Sequence, residues 1–576
     1  PSGLRKQDLS ASPTDINNSV DAVCFPSSAL TASSFDDNLL FDLGSHLGVA
    51  ANAEHLGVLL GPGVNIKRSP LAGRNFEYFS EDPLLTGRMG TAYVKGVQEK
   101  GVGVSVKHFA ANNREDQRFT SSSNIDERAL REIYLAQFER IVKEAQPATL
   151  MCSYNKLNGV LNSQNQRLLT EILRNEWGFE GLVMSDWGAV ADHVAAIKAG
   201  LDLEMPGKGQ VSVNEIVTAV KAGRLQESTL NRSVLRVLRM VEKWGKDAAT
   251  TEEYDKEEQH NFARQVADES IILLQNKNQQ LPLKKSESVA IIGELAAKPR
   301  FEGGGSSHVN AHHLVTPLQA APANTQYAQG YSLDSEQEDE DLVNEALQLA
   351  KSSDKIIIFA GFPEEMETEG FDKTSISLPL NQNRFIEQVA QVNPNITVVL
   401  QNGSALEMPW AGKVSAIVET YLAGEAVGEA TWDILTGKVN PSGKLSETFP
   451  LRLQDNPTYG TFGKDHDQED YHEGIFVGYR YYDLHEMPVL FPFGHGLSYT
   501  SFEYHDLVVQ EGTDEVNVSL QVTNTGDVAG KEVVQLYIAN HVSRVEMPVK
   551  ELRDFAKVSL QPGETKTVEM KLPRRA

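Results

Sequence analysis

Four short apolar runs, each breaking into hydrogen-bonding side chains at its end, constrain the fold of this chain more than any other feature. The clearest is Leu182-Val183-Met184-Ser185, which ends on Asp186 and Trp187. Before it, Val58-Leu59-Leu60 leads through Gly61 to Arg68 and on to Arg74 and Glu77. Val102, Val104 and Val106 alternate up to Lys107-His108-Phe109, with Asn112, Asn113, Glu115 and Arg118 following. Thr149-Leu150-Met151 leads to Cys152-Ser153-Tyr154-Asn155. Parallel α/β barrels place functional side chains where strands end. Taken singly, each run has an ordinary explanation: Asp186 as a helix N-cap, the others as loop chemistry. Repetition changes the balance, because it gathers Arg, Lys, His, Tyr and Asp in the way a polyhydroxylated ligand requires. Residues 1–245 therefore read as a (β/α)8-type barrel closed by a helix over Ser228 to Trp244, where Leu230, Val234, Leu235, Val237, Leu238 and Val241 share one side.

The polar stretch Asp247 to Glu258 opens a linker assigned to residues 246–284. Beyond it, Val289–Gly293, Lys355–Gly361, Ile396–Leu400 and Val414–Val418 are β-branched runs separated by helical stretches, which predicts an α/β sandwich domain over 285–500. Gly303-Gly304-Gly305 does not make this a nucleotide fold: no Gly-x-Gly-x-x-Gly opens a helix after the first strand, and there is no Walker lysine. From 501 to 576 the pattern switches to period two, with Val516, Val518, Leu520 and Val522 alternating and Pro562-Gly563 turning the chain, as in a small β-sandwich.

With 53 basic and 79 acidic residues the formal charge is −26, a surface ill suited to nucleic acid or anionic membrane. Only Cys24 and Cys152 are present, too few for a disulfide framework or a cysteine metal site, and no apolar run reaches membrane-spanning length. A reducing, cytoplasmic setting is the simpler expectation, with secretion left open. No segment identifies an oligomer interface, so homo-oligomerisation also stays open.

The chain resembles the β-glucosidases of glycoside hydrolase family 3. The resemblance is carried in order by Lys67–Glu77 with Ser80-Glu81-Asp82-Pro83, Lys107-His108-Phe109, Met151–Asn155, Ser185–Gly188 and Gly200–Gly207, then by Glu369–Lys373, Tyr479–Tyr482 and Pro492–Tyr499. It implies a fibronectin-III-like last domain, no cofactor and no metal, and a retaining exo-hydrolase acting on terminal β-D-glucosyl residues. Such an enzyme needs two carboxyl groups about 5–5.5 Å apart, one attacking and one donating a proton. The resemblance assigns the nucleophile to Asp186 and the acid/base to Glu369, with Glu367 as runner-up in the acidic block Glu364 to Asp372. Glu369 is then expected to have a raised pKa, through burial near Trp187 or Asp186. Arg5, Arg74, Lys107, His108 and Arg118 match positions that bind sugar hydroxyls. Tyr154 matches a tyrosine beside the nucleophile, Met151, Trp187 and Leu4 match apolar walls, and Ser306 reaches in from the second domain. The block Glu364 to Asp372 has an alternative reading as a solvated acidic loop, and His108 one as an interior histidine.

One departure narrows the class. Relatives acting on N-acetylglucosaminides resemble Lys-His-Phe-Pro-Gly-His-Gly, whereas this chain has Lys107-His108-Phe109-Ala110-Ala111-Asn112-Asn113 and so requires an acid from the second domain. Trp187 favours glucosides over xylosides, with a β-xylosidase or a mixed β-glycosidase as the alternative. The family pattern carries an Asp-Gly pair before Pro1 and a further strand after Ala576. Truncation at both ends is the corresponding expectation, with an inactive sugar-binding fragment as the other alternative.

Overall fold

The computed structural model describes residues 2–7, 18–246, 253–323 and 325–573. The four opening runs are neighbouring parallel strands, Val58–Leu59, Gly103–Phe109, Thr149–Cys152 and Leu182–Ser185, hydrogen-bonded in that order. Every residue of the last three is buried, which explains why they read as continuous apolar runs: helices cover one side and the barrel interior the other. Asp37–Ala53 and Pro83–Glu99 pack against each other over this sheet, capped by Asp36 and Asp82. Bridges from Gly63 to Lys107 and from Met184 to Leu203 extend the sheet at its ends. The expected eight-stranded ring is thus a barrel-like parallel sheet among the described residues, with four paired strands and two bridged extensions.

The expected closing helix spans Glu227–Trp244. Its apolar side is only partly covered: Val234, Leu235, Leu238 and Val241 are exposed.

The second sheet has six strands in the order Thr325–Ala328, Val289–Ile292, Lys355–Gly361, Ile396–Gln401, Ala416–Glu419 and Ile272–Asn276. The first five are parallel and the last is an antiparallel edge. This corrects the linker over 246–284, which contains the helix Lys256–Asp268 as well as the Ile272–Asn276 strand; residues 247–252 of that linker lie outside the described ones. The edge strand was hidden because its second half, Gln275 and Asn276, is polar and half-buried.

The last unit packs a three-stranded antiparallel sheet, Phe502–Glu511, Glu515–Asn524 and Thr565–Pro573, against the pair Gly530–Ile538 and Glu551–Leu560. Leu520, Val522, Val568 and Met570 from one sheet meet Val534 and Leu560 from the other, the expected β-sandwich core.

Buried ion pairs lock the first two units together. Lys67 Nζ lies 2.8 Å from Glu447, Arg68 Nη1 2.6 Å from Glu469, and Arg480 Nη2 2.9 Å from Asp82. Arg68 also lies 3.8 Å over the Tyr471 ring. Such pairs are strict in geometry, since removing one partner strands a buried charge. The consequence is a fixed seat for the second unit over the strand ends of the first.

Candidate active site

A cavity of about 540 Å³ opens where the parallel strands end. It is lined from the first unit by Arg5, Arg74, Lys107, His108, Arg118, Met151, Tyr154, Asp186 and Trp187, and from the second by Ser306 and Glu369. All but one of the residues expected at the site thus meet here. The exception is Leu4, which is 1% exposed and packs into the core of the first unit; the wall on that side is made by Gly3, Leu56 and Val309 instead.

Asp186 follows directly on the Leu182–Ser185 strand, with its side chain at the cavity and only 7% of its surface exposed. It is not a helix cap: the next helix, His193–Ala199, is capped by Asp192. Asp186 Oδ1 accepts the Trp187 N–H at 2.8 Å, Oδ2 lies 3.6 Å from His108 Nε2, and the Tyr154 hydroxyl hydrogen-bonds the carboxylate. Burial raises the Asp186 pKa, although Arg74 and Lys107 oppose it. A buried carboxylate that faces the cavity can reach an electrophile held there. Met151 and Trp187 belong to one apolar cluster with Leu182 and Met184, and supply a flat wall beside it.

The basic side chains are held by acids that the sequence reading did not assign. Glu77 pairs with Arg74 and lies 3.7 Å from Lys107. His108 is buried, with Nδ1 3.1 Å from the Tyr78 hydroxyl and its backbone paired with Asn65. Burial, with Arg74 and Lys107 nearby, drives the His108 pKa well below its ordinary value and keeps the ring neutral. Both readings of His108 therefore hold: it is interior, and it faces the cavity. Glu77 and Tyr78 could have been found from their place at the end of the same motif as Arg74, but nothing in the sequence distinguished them from loop residues.

Glu369 sits on the loop after the Lys355–Gly361 strand. One oxygen lies 3.0 Å from Arg118 Nη1 and 3.5 Å from Arg74 Nη1; the other accepts the Ser306 backbone N–H at 2.8 Å. Arg118 also lies 4.6 Å over the Tyr154 ring. Burial works against the charged form of Glu369, but Arg74, Ser306 and Arg118 outweigh it and hold the carboxyl well below the usual range. This corrects the expected upward shift: two guanidiniums and Ser306 dominate. Ser306 contributes through its side chain and its main chain, both favouring ionised Glu369, and its carbonyl accepts from Arg5 Nη1 at 3.3 Å.

Glu367 is not at the cavity. It is fully buried and bound by Arg300, Lys373, Ser404 and the Gly403 N–H, so it is a structural anion rather than an available acid. The acidic block is accordingly not a uniform solvated loop. Among the described residues no three His, Cys, Asp or Glu side chains gather as a metal cluster, and no helix is long and apolar enough to cross a membrane.

Comparison with known proteins finds relatives along the whole chain. Residues 16–240 match the model for the glycosyl hydrolase family 3 N terminal domain, 271–499 its C-terminal domain, and 532–576 a fibronectin type III-like domain. The whole chain is 52% identical to thermostable beta-glucosidase B of Acetivibrio thermocellus, covering 78% of that protein. It is 44% identical, over the whole chain and 78% of the relative, to an exo-alpha-(1->6)-L-arabinopyranosidase of Bifidobacterium breve. Among solved structures, the family 3 beta-glucosidase of Bifidobacterium adolescentis superposes with a TM-score of 0.93 at 44% identity, over 96% of this chain and 83% of the other.

Proposed function

The chain belongs to glycoside hydrolase family 3, and from that membership we propose that it is a retaining exo-acting β-glucosidase with Asp186 as nucleophile and Glu369 as acid/base. The observation that carries the reading is the Asp186 carboxylate, buried at a strand end and lining one cavity with a second carboxylate, Glu369, from another unit. A terminal glucosyl unit enters the cavity with its hydroxyls on Arg74, Lys107, Arg118 and His108 and its apolar face on Met151 and Trp187. Asp186 attacks the anomeric carbon as the aglycone oxygen takes a proton from Glu369; water, deprotonated by Glu369, then releases glucose with retained configuration.

Glu369 must become protonated for the first step. Sugar hydroxyls that occupy Arg74 and Arg118 weaken the pairing that holds Glu369 ionised, and the loss of water from the closed cavity further favours the neutral acid. Catalysis in this reading begins with the substrate displacing a clamp. The 44% relative named for an arabinopyranosidase supports a specificity that extends to other pyranosides of related shape.

The test is covalent trapping. A 2-deoxy-2-fluoro-β-glucoside with a dinitrophenyl leaving group should inactivate the protein and add one glycosyl mass to the peptide carrying Asp186. Label on a different carboxylate, or hydrolysis with inverted configuration, would overturn the assignment.

A further inference from the structure

The loop that carries Glu369 is fastened to the barrel-like unit from behind, and one side chain makes most of the attachment. We propose that Asp372 is a positioning residue for this reaction: its carboxylate clasps the two loops that supply Arg74 and Arg118 to the loop that supplies Glu369, and so sets where Glu369 stands. The inference rests on the reading of Glu369 as acid/base.

Asp372 Oδ1 accepts the Gly73 N–H at 3.0 Å, and Oδ2 accepts the N–H groups of Glu115 and Asp116, both at 2.9 Å. Gly73 immediately precedes Arg74, and Glu115 and Asp116 stand just before Arg118. Two bonds return from the same loop: the Gly370 N–H donates to Glu115 Oε2 at 2.9 Å, and the Lys373 N–H to the Leu71 carbonyl at 2.8 Å. Glu115 in turn holds Arg118 Nη1 at 2.7 Å, the same nitrogen that reaches Glu369. The connections close a ring that runs from Glu369 through its own loop to Asp372, across to Glu115 and Arg118, and back to Glu369.

Two further observations separate this from an ordinary surface contact. Among the described residues no cation pairs with Asp372, so its charge is directed wholly at backbone donors of two other segments. The backbones also touch at Gly73: a Cβ there would fall 1.7 Å from the Phe371 carbonyl oxygen and 2.5 Å from that of Thr368. A side chain at Gly73 would force the Glu369 loop away, as would loss of the carboxylate. Catalytic groups tolerate little displacement, and an error of about 1 Å costs about 10²-fold in rate.

Asp372→Asn puts an amide N–H₂ against backbone donors and breaks the clasp without touching substrate. Gly73→Ala breaks it sterically while leaving every polar group in place, and serves if the first variant folds poorly. Both are assayed on cellobiose and on dinitrophenyl β-glucoside, with Glu369→Ala and the unaltered chain alongside. The expected result is a cellobiose turnover lowered about 10²-fold with KM little changed. On the dinitrophenyl substrate, whose leaving group needs no proton, kcat/KM of both variants should stay near that of the unaltered chain; in Glu369→Ala, where the carboxylate is gone, azide attacks the anomeric carbon of the glycosyl-enzyme, Asp186 leaves as carboxylate, and β-glucosyl azide forms without a general base. A merely structural lesion would slow both substrates alike. That result, or unaltered cellobiose turnover, overturns the inference whenever Glu369→Ala itself responds to azide. A Glu369→Ala variant that does not respond to azide overturns the acid/base reading instead, and the positioning inference with it.

Discussion

Replacing Glu367 by Gln removes one buried anion from between two buried cations. Its carboxylate is 2.7 Å from Arg300 Nη1 and 2.6 Å from Lys373 Nζ, and accepts from Ser404 Oγ at 2.7 Å and the Gly403 N–H at 2.6 Å. Burial alone would raise its pKa, but Lys373 and Arg300 outweigh it and bring the value from 4.5 down to about 2. At about 1.4 kcal/mol per pKa unit, that difference makes the charged Glu367 worth about 3 kcal/mol at neutral pH. Breaking a buried pair costs about 3–5 kcal/mol by the same physics, because the stranded Arg300 and Lys373 charges stay buried. For a unit of this size the loss lowers the melting temperature of its transition by about 6–20 °C. The sign with pH follows from the depressed value: the stabilisation is complete above about pH 4.5 and fades as pH falls towards 2, so the gap between Glu367→Gln and the unaltered chain should narrow in acid. Scanning calorimetry at pH 7 and pH 4, with turnover measured below the transition, checks this. Equal melting at pH 7 would refute the energetic reasoning. A stable variant whose lost turnover azide restores would make Glu367 the acid and refute the assignment of Glu369.

Three other perturbations separate the site's parts. Glu369→Gln should lower turnover of glucosides with poor leaving groups by about 10²–10⁴-fold, as read from kcat on cellobiose. Asp186→Asn should abolish turnover yet raise the melting temperature at neutral pH. The folded chain has a raised Asp186 pKa, so it carries a buried charge at a cost that appears as pH rises above about 3.8, and the gain should vanish in more acidic buffer. A lower melting temperature at pH 7 would contradict this. Ser306→Pro deletes the backbone donor that favours ionised Glu369, whereas Ser306→Ala keeps it. Because Glu369 acts in its protonated form, the first should move the alkaline limb of kcat/KM upward by about 1–2 pH units, and the second, which removes only the hydroxyl that also favours the ionised form, should move it part of that way.

Much of the fold was legible because burial writes itself into strands. The runs ending at His108, Met151 and Asp186 are covered on both faces, so they had to be apolar until the strand ended and polar beyond it. The same rule failed for Ile272–Asn276, an edge strand whose polar half resembles a linker. Leu4 misled because an apolar residue beside Arg5 suits a cavity wall and a core position equally; packing sent it inward.

By itself the sequence determined which side chains are available and in what order: an aspartate at a strand end, basic residues in the first unit and an acidic block in the second. Only the tertiary structure decided what that block does. Glu367 and Glu369 are two residues apart and chemically identical, yet one faces Arg300 and Lys373 in the interior and the other faces Arg74 and Arg118 at the cavity. The physical reason is that a carboxylate's ionisation and reach depend on charges and donors within a few ångströms: those of Glu367 come from its own unit, while the guanidiniums at Glu369 come from the first unit, hundreds of residues away in the chain.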